Sequence, residues 1–172
     1  MNPITLTPLT EAHFPLLLQW LNAPHVHRWW NPETTWTLEK ITEKYTSYTQ
    51  GYKIVDGEKK PIHAYIIDVY DKPIGYFQVY NAYDFERIPT LSNLPESLGA
   101  FDIFIGNHNY LHQGIGSATL LLGFEQVADT YTHILADTHI ENSAARRTYE
   151  KAGFRIIEVD EITDNIRMIK EL

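Results

Sequence analysis

The chain has 172 residues, 44% of them hydrophobic and 21% charged, and its formal charge is -8 at pH 7. These proportions and this length predict a single globular domain over residues 1–172 that buries roughly 70% of its unfolded surface. The acid excess disfavours nucleic acid and anionic lipid as partners and favours a cationic small molecule or a basic peptide. Because the chain has no cysteine, disulfides, zinc–thiolate sites and a covalent cysteine intermediate are excluded.

The N-terminal segment MNPITLTPLT has no basic stretch followed by an apolar core, so it does not resemble a secretion signal. No apolar run approaches the ~18 residues that a membrane span needs. We therefore expect a soluble cytoplasmic protein without a membrane partner, either a monomer or a homodimer.

The first part of the chain predicts a strand over residues 4–7 and helices over about 12–23 and 37–49. Between the helices lies a loop with a dense aromatic and imidazole cluster, His25 to Trp30. Two histidines one residue apart have no third ligand nearby, so no metal site is expected. Trp29 and Trp30 either pack in the core or line a substrate cleft, and the sequence leaves both readings open.

The middle of the chain predicts a polar loop over residues 50–60, followed by strands at about 62–69 and 74–80. A short polar connection joins these two strands, so they form an antiparallel hairpin. The segment 81–99 is long and irregular, and loops of that length in compact domains are usually functional or disordered.

The stretch FDIFIGNHNYLHQGIG, residues 101–116, carries the most informative pattern. A strand over 100–105 contains one acid, Asp102, and a glycine turn then leads into an apolar helix over 116–129. A glycine turn at the start of a helix can present backbone N–H groups to a diphosphate, although such a turn is more often purely structural. An acid in an apolar strand faces a cleft or a partner, or else lies on the solvent side.

The last third predicts a strand over 134–138, a helix over 143–152 and a closing hairpin over 155–159 and 166–170. Asp137 ends its strand as Asp102 interrupts the earlier one, so neighbouring strands would place both carboxylates on one side. Asn142 is an N-cap candidate, and Tyr149 lies seven residues later on the same helix face. A helix tyrosine is more often half-buried packing than a catalytic group.

Two segments together resemble the GNAT N-acyltransferase superfamily. LHQGIG, residues 111–116, fits its acetyl-CoA loop Q/R-x-x-G-x-G/A except at Leu111, and ADTHIENSAARRTYEKAGF, residues 136–154, is similar to its following motif. The pattern P-H-V-x-x-W-W at 24–30 looks like the matching region of aminoglycoside 6'-N-acetyltransferases and related siderophore-type acyltransferases. The resemblance is specific over about 100–154 and weaker before that.

The resemblance implies an α/β (α+β) fold, with a central mixed and mostly antiparallel twisted sheet of six to seven strands and about four flanking helices. It also implies a V-shaped opening between the strands at 100–105 and 134–138, in which the pantetheine arm of acetyl-CoA lies. The implied cofactor-binding residues flank that opening: Phe104, Ile105, His112, Gln113, Gly114, Ile115, Gly116, Ser117, Asn142 and Tyr149.

Acyl transfer to an amine requires that the donor be held, the amine deprotonated, the oxyanion stabilised and the leaving thiolate protonated. By resemblance, Asp102 and Asp137 anchor or deprotonate the amine, Tyr149 protonates the thiolate, and Trp29 and Trp30 line the acceptor site. The expected function is acetyl transfer from acetyl-CoA to a cationic amine such as an aminoglycoside. A siderophore-type or peptide N-acyltransferase and a non-catalytic CoA-binding module remain the alternatives.

Overall fold

The computed structural model describes residues 4–172, which form eight strands, five helices and three single 3-10 turns. The strands are β1 (Ile4–Pro8), β2 (Tyr52–Val55), β3 (Glu58–Val69), β4 (Lys72–Asn81), β5 (Leu98–Ile105), β6 (His133–His139), β7 (Arg155–Asp160) and β8 (Asn165–Glu171). The helices are α1 (Phe14–Leu21), α2 (Pro24–His27), α3 (Leu38–Thr49), α4 (Ile115–Glu125) and α5 (Ser143–Lys151).

One sheet organises the chain, with the strand order β1-β3-β4-β5-β6-β8-β7 and with β2 paired to the first half of β3. Every neighbouring pair is antiparallel except β5 and β6, which run parallel. The mixed, mostly antiparallel sheet expected from the sequence is therefore confirmed, with one or two strands and one helix more than expected.

The parallel pair separates soon after it forms. Leu98 to Ala100 of β5 pair with His133 to Leu135 of β6, and the register stops there although both strands continue. Over the same stretch β5 stays paired with β4, and β6 stays paired with β8. The second half of β5 thus has one unpaired edge, which opens the sheet at the expected place.

Apolar side chains cover both faces of the sheet, as the alternation along β4 illustrates. Tyr76 belongs to the cluster under α1 and α3, whereas the next residue, Phe77, belongs to the cluster under α4 and α5. Helix α4 lies so close to the sheet that a Cβ on Gly123 would sit 2.6 Å from the ring of Phe77. The two helical layers therefore hold β5 and β6 in place from both sides.

The prediction of a polar loop over residues 50–60 was wrong. This segment forms a hairpin of β2 and β3 around Asp56 and Gly57, whose φ angles are 51° and 81°. Positive φ at both central residues is the requirement of the tight two-residue turn that matches strand twist, and Asp-Gly meets it well. The hairpin places Lys53 beside the irregular segment that follows β4.

Two smaller expectations also need correction. Pro24–His27 forms a short helix inside the segment expected to be a loop. Helix α4 ends at Glu125 instead of 129, because the amide of Gln126 turns back to the carbonyl of Gly123 and closes the last turn. In the described part of the chain, no helix has the length and apolarity to cross a membrane.

Candidate active site

A cradle of backbone N–H groups lies where β5 leads into α4. Gly114 is the N-cap of α4 and has φ 76°, a left-handed conformation that glycine adopts without cost. The first amides of a helix have no partner inside it, so Ile115, Gly116 and Ser117 can present N–H groups to a ligand. The Ser117 hydroxyl already donates to the Gly114 carbonyl at 3.0 Å, so it stabilises the turn.

A cavity of about 310 Å3 adjoins this cradle. It is bordered by the unpaired end of β5, Ile103 to Ile105, by the cradle and by one face of α5. Gly116 allows α4 and α5 to approach, because a Cβ there would sit 3.0 Å from Thr148 Cγ2. Arg147 and Lys151 also line the cavity, so two cations supplement the cradle where a diphosphate would bind.

Eight of the ten residues predicted to bind the cofactor line this cavity: Phe104, Ile105, His112, Gly114, Ile115, Gly116, Ser117 and Tyr149. Gln113 does not; its side-chain amide donates to the carbonyl of Asn109 at 2.7 Å. Asn142 does not line it either, and its side chain caps α5 by accepting from the Ala145 N–H at 3.1 Å.

Tyr149 lies at the inner wall of the cavity. Its ring packs edge-on against Phe101 at 5.3 Å between centroids, and the side chain is only 8% exposed. Burial raises the pKa of the phenol, and the negative charges of Asp102 and Asp137 add to the effect. Within residues 4–172 no group hydrogen-bonds to its hydroxyl, which therefore remains protonated and available to a ligand at neutral pH.

A second cavity of about 310 Å3 adjoins the cluster under α1 and α3. Trp29 and Trp30 form part of its wall, and Trp30 also packs edge-on against Phe104 with ring centroids 4.9 Å apart. Trp30 therefore packs against the core and also lines the cavity, as Trp29 does, and a role of the pair in substrate binding stays a prediction. Asp102 lines this cavity, whereas Ile103, Phe104 and Ile105 line the first one. The two cavities thus border consecutive residues of β5.

Asp102 is held by a short chain of hydrogen bonds. The Gln78 side-chain amide donates to Asp102 Oδ2 at 2.6 Å, and the buried Tyr76 hydroxyl donates to Gln78 Oε1 at 2.7 Å. Gln78 lies directly opposite Asp102 in the β4–β5 register. One carboxylate oxygen is therefore fixed, and this orients the side chain in the second cavity.

Asp137 lies on the same face of the sheet as Asp102. Ala136 and Phe101, the residues just before these two acids, both belong to the cluster under α4 and α5, and side chains alternate between faces along a strand. Two guanidinium groups already engage it. Arg87 forms an ion pair with Oδ2, and the buried Arg167 bonds Oδ1 at 3.0 Å and also Glu158 at 2.6 Å. Asp137 is thus the centre of a charge network that ties the segment after β4 to β8.

With this geometry in view, residues 10–161 match the family described as acetyltransferase (GNAT) domain. The chain belongs to the GNAT acetyltransferase family. It is an N-acetyltransferase that uses acetyl-CoA, as the motifs at 111–116 and 136–154 predicted.

Among its relatives are the aminoglycoside N(6')-acetyltransferases type 1 of Klebsiella pneumoniae and Serratia marcescens. Each is 28% identical over 156 residues, which cover 89% of this chain and 74% of the relative. The solved structure of AAC(6')-Ib with coenzyme A and kanamycin aligns with a TM-score of 0.81 at 25% identity, covering 98% of this chain and 95% of that one. The same protein with ribostamycin and coenzyme A aligns at 0.82, again at 25% identity, covering 99% and 94%.

Sequence reasoning missed several side chains that shape the site of this acetyltransferase. Gln78 could have been found, because a polar residue inside an apolar hairpin strand must have a partner. Arg87, Lys44 and Lys53 gave no signal, since they come from an irregular segment, a helix and a hairpin that meet only in the folded chain.

The two histidines near the tryptophan pair have structural contacts. The Nε2 atom of His25 hydrogen-bonds to the Ile105 carbonyl at 3.0 Å, and that of His27 to the Thr34 carbonyl at 2.8 Å. His25 thereby joins α2 to the end of β5, at a residue that lines the cavity beside the cradle. Across residues 4–172, no group of three His, Asp or Glu side chains is arranged to hold a metal ion.

Proposed function

We propose that the acetyltransferase transfers the acetyl group of acetyl-CoA to a primary amine of a cationic small molecule, with aminoglycosides as the first candidates. The observation that carries this proposal is the division of β5 between two cavities. Asp102 borders one cavity, and the next three residues border the cavity that adjoins the amide cradle. An amine in the cavity lined by Asp102 would therefore meet a thioester in the cavity beside the cradle.

The relatives support the choice of acceptor. AAC(6')-Ib binds kanamycin or ribostamycin together with coenzyme A, and its fold superimposes on nearly the whole of this chain. The identity of 25% to 28% is modest, so the acceptor remains a proposal for this chain.

Acetyl-CoA, when bound, supplies an acetyl group activated as a thioester. On this chain, the amides of Ile115 and Gly116 and the cations of Arg147 and Lys151 would hold its diphosphate. Backbone N–H groups on the free edge near Phe104 and Ile105 would bond the pantetheine arm and the thioester carbonyl. A donor aimed at the carbonyl oxygen stabilises the negative charge that develops there.

We assign the proton-accepting role to Asp102. As the new N–C bond forms and the C–S bond breaks, the amine must lose a proton, and the Asp102 carboxylate that lines the acceptor cavity would accept it. Asp137 is already shared by Arg87 and Arg167, so we assign it to holding the acceptor-side segment in place.

Tyr149 would act on the leaving sulfur. Its hydroxyl faces the cofactor cavity, and burial keeps it protonated. A thiol ionises near pH 8.5, below a phenol, so Tyr149 would contribute mainly by donating a hydrogen bond to the departing thiolate, which takes up its proton from solvent as CoA leaves.

The catalytic assignment is tested by Asp102→Asn, which preserves shape and removes the base. We expect the turnover rate, measured by the release of free CoA, to fall by roughly two orders of magnitude or more. The affinity for acetyl-CoA, measured by calorimetry, should stay unchanged. Asp129→Asn, on the exposed turn after α4, is the matched control. Full turnover in Asp102→Asn would remove the assigned role.

The acceptor is tested with a panel of aminoglycosides, diamines and peptides, again read through CoA release. Acceleration by kanamycin and ribostamycin is expected, and no acceleration by any aminoglycoside would reject them as acceptors. We further propose a cytoplasmic location and a monomeric or homodimeric single domain. Cell fractionation and size-exclusion chromatography with light scattering would check these assignments.

A further inference from the structure

The charges inside the acceptor cavity do not follow the net charge of the chain. The cavity is lined by three cations, Lys44, Lys53 and Arg87, and by two carboxylates, Asp102 and Glu86. Glu86 is exposed at the rim, whereas the three cations are half-buried. Because Arg87 is paired with Asp137, the interior of this cavity sets two cations, Lys44 and Lys53, against one carboxylate, Asp102.

The two lysines have no carboxylate partner within 4.0 Å among residues 4–172. The Lys44 ammonium lies 5.2 Å from the ring centroid of Trp36, and the Lys53 ammonium lies 4.7 Å from that of Phe85. Burial lowers the pKa of Lys44, and the positive charge of Lys53 lowers it further. Two neighbouring cations held partly out of water are costly unless an anion joins them.

The negative charge expected to balance them is largely used elsewhere. Asp137 is paired with Arg87 and Arg167, which leaves Asp102 as the carboxylate that can receive an ammonium group inside the cavity. The negative charge of Asp102 raises the pKa of Lys44, whereas the positive charge of Lys53 lowers it. The acid and the two lysines therefore interact electrostatically with one another. The cavity thus offers one place for a cation and an adjacent place for an anion.

We infer that the preferred acceptor carries an acid group, a carboxylate or a phosphate, in addition to the amine that is acetylated. The amine binds at Asp102 and the acid group binds between Lys44 and Lys53. This inference rests on the proposed acetyl transfer to a primary amine and not on the choice of aminoglycosides, which carry no acid group. It makes a small zwitterionic amine a better acceptor than a dense polycation.

The test compares acceptors that differ only in the acid group. Lysine against cadaverine and ornithine against putrescine add a carboxylate, and phosphoethanolamine against ethanolamine adds a phosphate. In either the carboxylate or the phosphate pairs, we expect kcat/KM for the acid-bearing amine to exceed that for the amine without the acid group by roughly tenfold or more. A gain of this size is what a charge-assisted hydrogen bond gives. The two series separate a carboxylate from a phosphate acceptor.

Variants connect the preference to the two lysines. Lys44→Met and Lys53→Met should each remove most of the advantage of the acid-bearing acceptor, so that the ratio of kcat/KM within each pair of acceptors falls towards one. Lys72→Met, at the exposed first residue of β4, is the control. A wild-type enzyme without any preference for the acid group, or a preference that survives both variants, would overturn the inference.

Failure of the proposed reaction would look different. If acetyl-CoA binds but no amine is acetylated, the proposed acetyl transfer is rejected. The inference about the acid group is still tested by measuring the binding of lysine and of cadaverine by calorimetry in the presence of CoA. Binding of lysine alone, lost in Lys44→Met, supports the anion site. Equal binding of both, or of neither, rejects it.

Discussion

Tyr149→Phe isolates one atom of the site. The ring keeps its contacts with Phe101 and Phe154, at 5.3 Å and 5.9 Å between centroids, so the packing of α5 is preserved. The hydroxyl makes no hydrogen bond to the described residues, so its removal leaves no buried group unsatisfied. We expect the free energy of unfolding to change by less than about 0.5 kcal/mol, which is ~2 °C or less in Tm for a chain of this size.

Catalysis should respond much more strongly than stability. Loss of a positioned proton donor typically lowers the rate by about 10²-fold, equivalent to ~2.7 kcal/mol in the activation barrier. Since the leaving thiolate exists only as the C–S bond breaks, kcat should fall while KM for acetyl-CoA stays nearly constant. Tyr110→Phe, which removes another hydroxyl from the wall of the same cavity, is the matched control. Equal turnover in Tyr149→Phe and wild type would refute the role, and an equal loss in both variants would indicate a general effect on the cavity.

Two further predictions concern the cradle and the core. Gly114→Ala places an alanine at φ 76°, where its Cβ meets no neighbouring atom, so the backbone strain should lower the free energy of unfolding by about 1 kcal/mol. We expect KM for acetyl-CoA to rise several-fold and kcat to stay nearly unchanged. Unchanged affinity for acetyl-CoA would argue against the cradle. Burial raises the pKa of five core tyrosines, so above pH ~10 these tyrosines lose protons in the unfolded chain and not in the folded one. The free energy of unfolding is therefore at its full value below that pH. Above it, the free energy of unfolding falls by up to ~1.4 kcal/mol per pH unit for each tyrosine. Tyrosinate absorbance and circular dichroism should therefore change together in one alkaline transition, and early ionisation without unfolding would contradict the burial of this set: Tyr45, Tyr48, Tyr76, Tyr80 and Tyr149.

The elements with strong local signals could be predicted from the sequence. Helix α5 has an N-cap at Asn142 and a stop at Gly153, and its observed ends agree with those signals to within one residue. The glycines at 114 and 116 mark the cradle because a left-handed cap and a close helix contact both require a small residue. The cap signals and the left-handed conformation of Gly114 depend on neighbouring residues, so a single sequence reveals them, whereas the contact of Gly116 with Thr148 exists only in the folded chain.

The missed hairpin shows a different kind of error. Asp56-Gly57 is a strong local turn signal, but the flanking residues are polar and the segment was interpreted as a loop. Lys53 of β2 and Lys59 and Lys60 at the start of β3 obscure the strand pattern, because this hairpin lies off the main strand order, where charged side chains are common. At this hairpin the local turn signal therefore outweighs the polar composition of the flanking residues.

The contacts of Asp137 could not be predicted in the same way. Its partners Arg87 and Arg167 are 50 and 30 residues away, and only the sheet order places β8 beside β6 and brings the segment after β4 over both. A carboxylate at the end of a strand looks equally available in the sequence whether or not two guanidinium groups surround it.

The same reasoning limits what net charge says about a substrate. A charge of -8 over the whole surface acts at long range, where salt screens it beyond about 10 Å. Inside a cavity, a group is governed by the charges within a few ångströms, and there Lys44 and Lys53 face Asp102 while Asp137 is already paired. The acidic surface can draw an amine towards the protein, but the lysine pair decides which amine fits best. Overall charge and acceptor preference are therefore separate properties of this acetyltransferase. Replacing both lysines by methionine should change the acceptor preference, although it changes the net charge by only two.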